Sequence, residues 1–193
     1  MRKTDKNNKR KNEVVLTFDD GPDPDVTPKI LDILKKENIK AVFFVLGESV
    51  ASEKNIEIIK RINAEGHIIG NHTYSHKNLV RLTDEEIKTE ILKTEELIKS
   101  FLSSPKLLRP PFGAINIRVN RILSELGYLP VMWNVDTMDW KTKNTGWVKN
   151  AAELIGEYNI ILMHDVHETT MQNLPLLINE IRKKKNFEFI NYL

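Results

Sequence analysis

Between Val14 and Pro24 the chain reads V-V-L-T-F-D-D-G-P-D-P, an apolar run that ends on two adjacent carboxylates, Asp19 and Asp20. Like charges side by side at the end of a buried strand repel, and desolvating either is costly unless something positive lies between or beside them. Further along, N-H-T-Y-S-H sets His72 and His76 four residues apart. From that spacing both imidazoles reach one ion, on a helical turn or in a tight loop. Two imidazoles and one carboxylate make the ligand count of an open catalytic metal site, where one Asp binds the cation and the other stays nearby as a base. Each piece also has a plainer reading: D-D-G-P as a turn, and two histidines as ordinary loop residues.

The remaining chemistry-bearing residues follow short apolar runs in the same way. Arg109 follows Leu107-Leu108 within L-R-P-P-F-G, Asp136 and Asp139-Trp140 follow V-M-W-N-V, and His164-Asp165 follow I-I-L-M. Groups delivered to one rim by five separate runs are hard to explain as a solvated surface, which would scatter them over helix faces as well.

The elements that must position these residues are readable from periodicity. Val14–Phe18, Ala41–Leu46, Ile68–Ile69, Leu107–Leu108, Leu129–Trp133 and Ile160–Met163 read as buried strands. A helix starts near Thr27-Pro28 and runs through Ile30, Leu31 and Leu34, with Pro suited to a first turn. T-D-E-E at Thr83–Glu86 is a capping box, followed by Ile87, Ile91, Ile98 and Leu102 on one stripe. Further helices are expected over about 54–64, 117–126, 146–156 and 172–184. Such alternation implies an α/β fold with a mainly parallel sheet, open or closed into a barrel, with function at the carboxyl ends of its strands.

Composition sets the outer limits. At 193 residues, 40% hydrophobic and 29% charged, the chain fits one globular domain. It has no cysteine, which removes disulfides, thiolate ligands and a cysteine nucleophile, so a metal here must use His, Asp or Glu. Residues 1–11 hold six Lys/Arg and one Asp, a net of +5 against +2 for the whole chain, which leaves −3 for the rest. A mildly acidic body does not favour a nucleic-acid partner. The expected organisation is a basic disordered arm or linker over 1–12 and a single domain over 13–193. No stretch has the apolar run of a signal peptide or the length of a membrane span.

T-F-D-D-G, H-T-Y-S-H, R-P-P-F-G, D-T-M-D-W and L-M-H, in this order, resemble the five motifs of the polysaccharide deacetylases, carbohydrate esterase family four. The resemblance extends from about Val14 over nearly all the remaining chain. It implies a distorted (β/α) barrel of about seven strands and metal-dependent removal of N-acetyl groups from amino sugars. By the family pattern Asp20, His72 and His76 bind the divalent ion, commonly zinc, with cobalt, nickel or manganese possible. Asp19 is the general base and Arg109 its neighbour. His164 is the general acid and Asp139 its partner, and the backbone N–H of Phe112 assists the oxyanion. Trp140 is implied for the groove wall and Leu162 for the acetyl methyl pocket, with core packing as the plainer alternative for both. Asp136 either positions substrate or satisfies a strand end. Tyr74 and Ser75 read as structural spacers and His67 as a packed or surface residue, and a second metal site around His167 and Asp165 is set aside. Phe112 stands where Tyr is frequent in the family, a change without effect if only its backbone acts.

The expected partner is an N-acetylated glycan, peptidoglycan or a chitin-type oligomer, with the glucosamine-directed members the better match and a monomer the expected state. Family resemblance points to an extracytoplasmic or cell-wall setting, whereas the lack of an export signal in this chain leaves the cytoplasm open. Two other readings remain: hydrolysis of a small or cyclic amide, which keeps metal and base but can alter the last His or the Asp-Trp pair, and a catalytically silent glycan-binding protein, which predicts a missing ligand or base.

Overall fold

The protein is described by a computed structural model covering residues 12–141, 144–184 and 186–191, so the basic segment 1–11 lies outside the described residues. In chain order the elements are β1 (Asn12–Asp19), α1 (Thr27–Glu37), β2 (Ala41–Val45), a one-turn α2 (Gly47–Val50), α3 (Glu53–Ala64), β3 (Ile68–Asn71), α4 (Asp84–Ile98), β4 (Lys106–Leu108), α5 (Ile117–Glu125), β5 (Tyr128–Pro130), β6 (Val135–Asp136), α6 (Gly146–Leu154), β7 (Tyr158–His164), α7 (Glu168–Lys183) and β8 (Phe187–Phe189). Seven parallel strands in the order β5-β4-β3-β2-β1-β7-β6 curl into a half-barrel flanked by the helices. β8 adds beside the start of β1, where Asn12, assigned from the sequence to the basic arm, pairs with Phe187. The expected distorted barrel of about seven strands is the observed architecture.

Strand alternation decides which side chains reach the barrel interior. In β1, Val14, Leu16 and Phe18 pack outward with Ile30, Leu31 and Leu34 of α1 and with Leu174 and Leu177 of α7. Val15 faces inward with Val42, Phe44, Leu107 and Val131. Thr17 and Asp19 continue that inward face. The same alternation carries Arg109 inward two residues after Leu107, and Leu162 and His164 inward after Ile160. The lower interior is therefore apolar and the carboxyl-end interior polar, within single strands.

Four local expectations need correction. The α4 stripe ends at Ile98. Residues Lys99–Phe101 form a 3-10 turn, and Leu102 makes an isolated bridge to Ile69, because the chain must reverse before Pro105 and β4. The run Leu129–Trp133 is paired only as Tyr128–Pro130. Beyond it the carbonyls of Val131 and Met132 turn inward to accept from Arg109, which removes them from any ladder. α7 begins at Glu168, four residues before the expected 172, with the buried Thr170 in its first turn. The two-residue β6 and the terminal β8 were not expected, being too short to show a period.

Gly70 of β3 is paired in register with Phe44 of β2. A Cβ at Gly70 would stand 2.5 Å from Phe44 Cδ1. That ring is fully buried and carries the Arg109 guanidinium 4.2 Å above it. Gly70→Ala is expected to destabilise the protein by about 1–3 kcal/mol, the cost typical of an overpacked core, as measured by chemical denaturation. An unchanged unfolding midpoint would show that the ring has room to move.

Candidate active site

Asp19 and His164 are register partners at the ends of the neighbouring strands β1 and β7. Arg109 follows β4 and has no solvent exposure. Its Nη1 donates to Asp19 Oδ1 and to Thr17 Oγ1, each at 2.7 Å, while Nε donates to the Val131 carbonyl at 3.2 Å and Nη2 to that of Met132 at 3.4 Å. Asp19, also buried, thus places one oxygen on a buried positive charge, and its Oδ2 lies 3.8 Å from His72 Nε2. Removing one partner of such a pair typically costs about 3–5 kcal/mol, because the other charge is left uncompensated.

Asp20 turns the other way. It sits at φ 76°, and its neighbour must be glycine, since a Cβ on Gly21 would meet the Asp165 carboxylate at 2.2 Å. Asp165 is buried and accepts from Thr27 Oγ1 at 2.7 Å, and burial pushes its carboxyl up to about 7. The reversal aims Asp20 at the two imidazoles. Its Oδ1 lies 3.4 Å from His72 Nε2 and 3.5 Å from His76 Nε2, is itself buried, and has no hydrogen-bond partner.

The tautomer explains why that oxygen is left alone. His72 Nδ1 lies 2.7 Å from the Arg109 carbonyl, which only accepts, so Nδ1 carries the proton. In the neutral ring Nε2 then presents a lone pair toward Asp20. Burial, the largest influence on His76, holds its pKa below the usual histidine value despite Asp20. A carboxylate oxygen and two ring nitrogens that converge on one point, each able to offer an electron pair, fit a cation. Asp20, His72 and His76 are the one group of this kind among the described residues, with ligand atoms within 4.8 Å of one another.

Across the site His164 is arranged to hold a positive charge. Its Nδ1 lies 2.8 Å from Asp139 Oδ1, and its backbone N–H donates to Asp139 Oδ2 at 2.8 Å. Asp139 is buried and also accepts from Thr170 Oγ1 and from the Trp140 N–H. Burial acts to lower the His164 pKa, but the hydrogen bond and charge of Asp139, reinforced by Asp19 and Asp20, raise it to about 9.

Between the two clusters lies a groove of about 440 Å³ lined by Asp19, Asp20, His72, His76 and His164 together with Pro110, Phe112, Trp133, Asp136, Trp140, Leu162 and His167. Phe112 and Trp140 are largely exposed at its rim, and Leu162 is buried in its wall. Asp136 lines the groove while its Oδ1 accepts from the Met138 N–H, so both readings of that residue describe it in part. Arg109 and Asp139 lie behind the lining and act through their neighbours. His67 is packed, its Nδ1 accepting from the Ala41 N–H. Five non-glycine residues with positive φ, Asp20, Thr73, His76, Phe112 and Met138, belong to these strand-end segments. Backbone strain of this kind gathers where a site is held in place by its surroundings. The sequence reading missed Thr17, Thr170, Asn71, Pro110, Trp133 and the groove position of His167. Asn71 Nδ2 donates to the Ile91 carbonyl and its Oδ1 accepts from the Thr73 N–H, which fixes the start of the histidine loop.

A family model described as polysaccharide deacetylase matches residues 6–131, and the chain belongs to that family. It is 49% identical over 141 residues to a peptidoglycan-N-acetylglucosamine deacetylase of Bacillus cereus, covering 72% of this chain and 50% of that protein. The chain spans half or less of the length of the first such curated relatives. Among solved structures it resembles the Bc1960 peptidoglycan N-acetylglucosamine deacetylase, at TM-score 0.82 and 40% identity over 93% of this chain and 86% of that one. It also resembles a CE4 family pseudoenzyme from Bacillus anthracis, at TM-score 0.82 and 30% identity over 93% of this chain and 64% of that one.

The His164–Asp139 contact gives a prediction that needs no substrate. In metal-free protein the His164 imidazole should titrate near 9 by NMR. In Asp139→Asn the burial that lowers the pKa loses its main opposition, so the midpoint should move toward acid. An unmoved midpoint would show that Asp139 does not hold the charge.

Proposed function

We propose that this chain removes N-acetyl groups from N-acetylglucosamine residues of peptidoglycan by metal-assisted hydrolysis. The observation that carries the reading is the pairing, across one groove, of an Asp–His–His donor trio with an imidazole held by a buried carboxylate. The names of the relatives point to the same glycan. Work on that polymer places the chain at the cell wall, and no helix of the described residues is long and apolar enough to cross a membrane.

Asp20, His72 and His76 would hold the divalent ion, zinc by the nature of two imidazoles and a carboxylate, with cobalt, nickel or manganese compatible; when bound, such an ion lowers the pKa of water from about 16 toward 7 and polarises a carbonyl oxygen. Asp19 accepts the proton of the attacking water. Arg109 fixes the orientation of that carboxylate and balances its charge. The Phe112 N–H, at a turn residue with φ 60°, donates to the oxygen on which negative charge develops. His164 gives its proton to the amide nitrogen as the C–N bond breaks, because an amide anion is too basic to leave. Asp139 keeps that proton in place until then. Acetate and a free sugar amine are the products, and His164 recovers the proton that Asp19 accepted. Leu162 packs against the acetyl methyl, Trp140 and Phe112 against the sugar faces, and Asp136 orients a hydroxyl.

Every position of this scheme is filled, which favours turnover over a silent glycan binder, although a pseudoenzyme relative shows that the fold by itself does not guarantee activity. The intact His164 and Asp139-Trp140 favour a sugar over a small cyclic amide.

The test is acetate release from peptidoglycan and from N-acetylglucosamine oligomers, with the new amines located by mass spectrometry of the digested glycan. Chelation should abolish release and zinc should restore it, and the amine should appear on glucosamine rather than muramic acid. Release that persists after complete metal removal would overturn the metal, and amines confined to muramic acid would overturn the sugar. Asp19→Asn should keep zinc binding but lose about 10²- to 10⁴-fold in turnover, the usual contribution of a general base. His76→Ala should lose zinc affinity itself.

A further inference from the structure

The segment from His72 to His76 belongs to no helix or strand, and two of its residues, Thr73 and His76, hold φ angles of 69° and 54°. The carbonyls of Thr73 and Tyr74 are taken up by the Gly47 and Glu48 amides at the start of α2. The amides at the midpoint of the loop have a different partner. Glu90 projects from the buried face of α4, beside Ile87 and Ile91, and its side chain is only 7% exposed. Its Oε2 accepts from the Tyr74 N–H at 3.1 Å and the Ser75 N–H at 2.8 Å. Its Oε1 accepts from Ser75 Oγ at 2.7 Å, and Lys77 Nζ, 3.1 Å away, balances the charge. A carboxylate on the inner stripe of an amphipathic helix is costly to desolvate unless it is fully hydrogen-bonded, and here it is.

We propose that Glu90 is a positioning residue of the metal centre: by gripping two consecutive amides midway between His72 and His76, it sets the turn that presents both imidazoles to Asp20. The inference rests on Asp20, His72 and His76 forming a metal site. It gives a role to Tyr74 and Ser75, which contribute main chain rather than chemistry. A carboxylate suits this task better than a shorter or neutral group, since one oxygen spans both amides while the other takes the hydroxyl. The strained residues lie on either side of the gripped pair, so releasing it frees the loop to relax and separates the two ligands.

The test measures zinc affinity of the whole chain by competition with a chromogenic chelator, alongside amide hydrogen exchange of the metal-free protein. Glu90→Ala should weaken zinc binding by about tenfold or more, within the range found for residues that orient metal ligands. Glu90→Asp keeps the charge but withdraws it from the loop, and should lose affinity comparably. Glu90→Gln retains an oxygen that accepts from both amides and should lose far less. In Glu90→Asp, exchange at Tyr74 and Ser75 should speed up while Val15 and Leu16 of β1 stay protected. If Glu90→Ala does not fold, Glu90→Asp decides the matter. Either variant binding zinc as tightly as the wild type, with or without a lowered melting temperature, would overturn the role of Glu90 and leave the metal centre standing. A wild-type chain that does not bind zinc would overturn both.

Discussion

A guanidinium without solvent exposure sits inside the carboxyl end of the barrel, and much of the surrounding structure exists to satisfy it. Arg109 takes a carboxylate from β1, a hydroxyl from the same face of β1, and two carbonyls from the segment after β5. Its planar group rests on Phe44, for which Gly70 leaves the space. Its own carbonyl sets the tautomer of His72, and its own N–H bonds the Asn71 carbonyl at the end of β3. One residue thus fixes the candidate base through its side chain and a candidate metal ligand through its main chain. A buried charge of this kind adds little net stability, since desolvation offsets most of the attraction, but it tolerates no misplacement of its partners. What it contributes is geometry.

The same side chain meets two kinds of partner a short distance apart. His72 faces a carbonyl, which fixes a tautomer without favouring a positive charge. His164 faces a buried carboxylate, which does favour one. Asp139 can do this because the Thr170 hydroxyl and two backbone amides occupy its remaining lone pairs and hold it ionised in an apolar setting. Burial, the largest influence, pushes Asp139 upward, but His164 and these hydrogen bonds outweigh it and leave it below the usual carboxylate value. An imidazole held by a carboxylate and one held by a carbonyl can therefore share one groove.

The sequence showed that Asp19, Asp20, His72, His76 and His164 gather at one rim because each follows an apolar run, and parallel strands bring such ends together. It did not disclose which strand residues face inward. β1 is buried on both faces, so Val14 and Val15 look alike although one meets helices and the other lines the barrel. The residues that hold the site from behind were also hidden, for a related reason. Thr170 lies in the first turn of a helix and Glu90 on a helical stripe, and their roles come from contacts 31 and 15 or 16 residues away in the chain. Periodicity places such residues on a face and says nothing of what that face meets. The shortening of the Leu129–Trp133 run has the same origin, since its carbonyls were claimed by Arg109 from another strand.

A shared barrel that also houses a pseudoenzyme shows that backbone and activity are separable in this family. Here the side chains themselves carry the distinction, through an unsatisfied atom. Asp20 Oδ1 is buried, faces two ring nitrogens at 3.4 and 3.5 Å, and bonds to neither. A left-handed aspartate and a glycine pressed against Asp165 aim that oxygen at the two ring nitrogens. Each of those features has a cost, which a cation accepting all three electron pairs at once would offset. The acidic pair at the end of β1 is therefore a division of labour: Asp19 answers to the guanidinium, Asp20 faces the two imidazoles, and the turn between them keeps the two charges from competing for one partner.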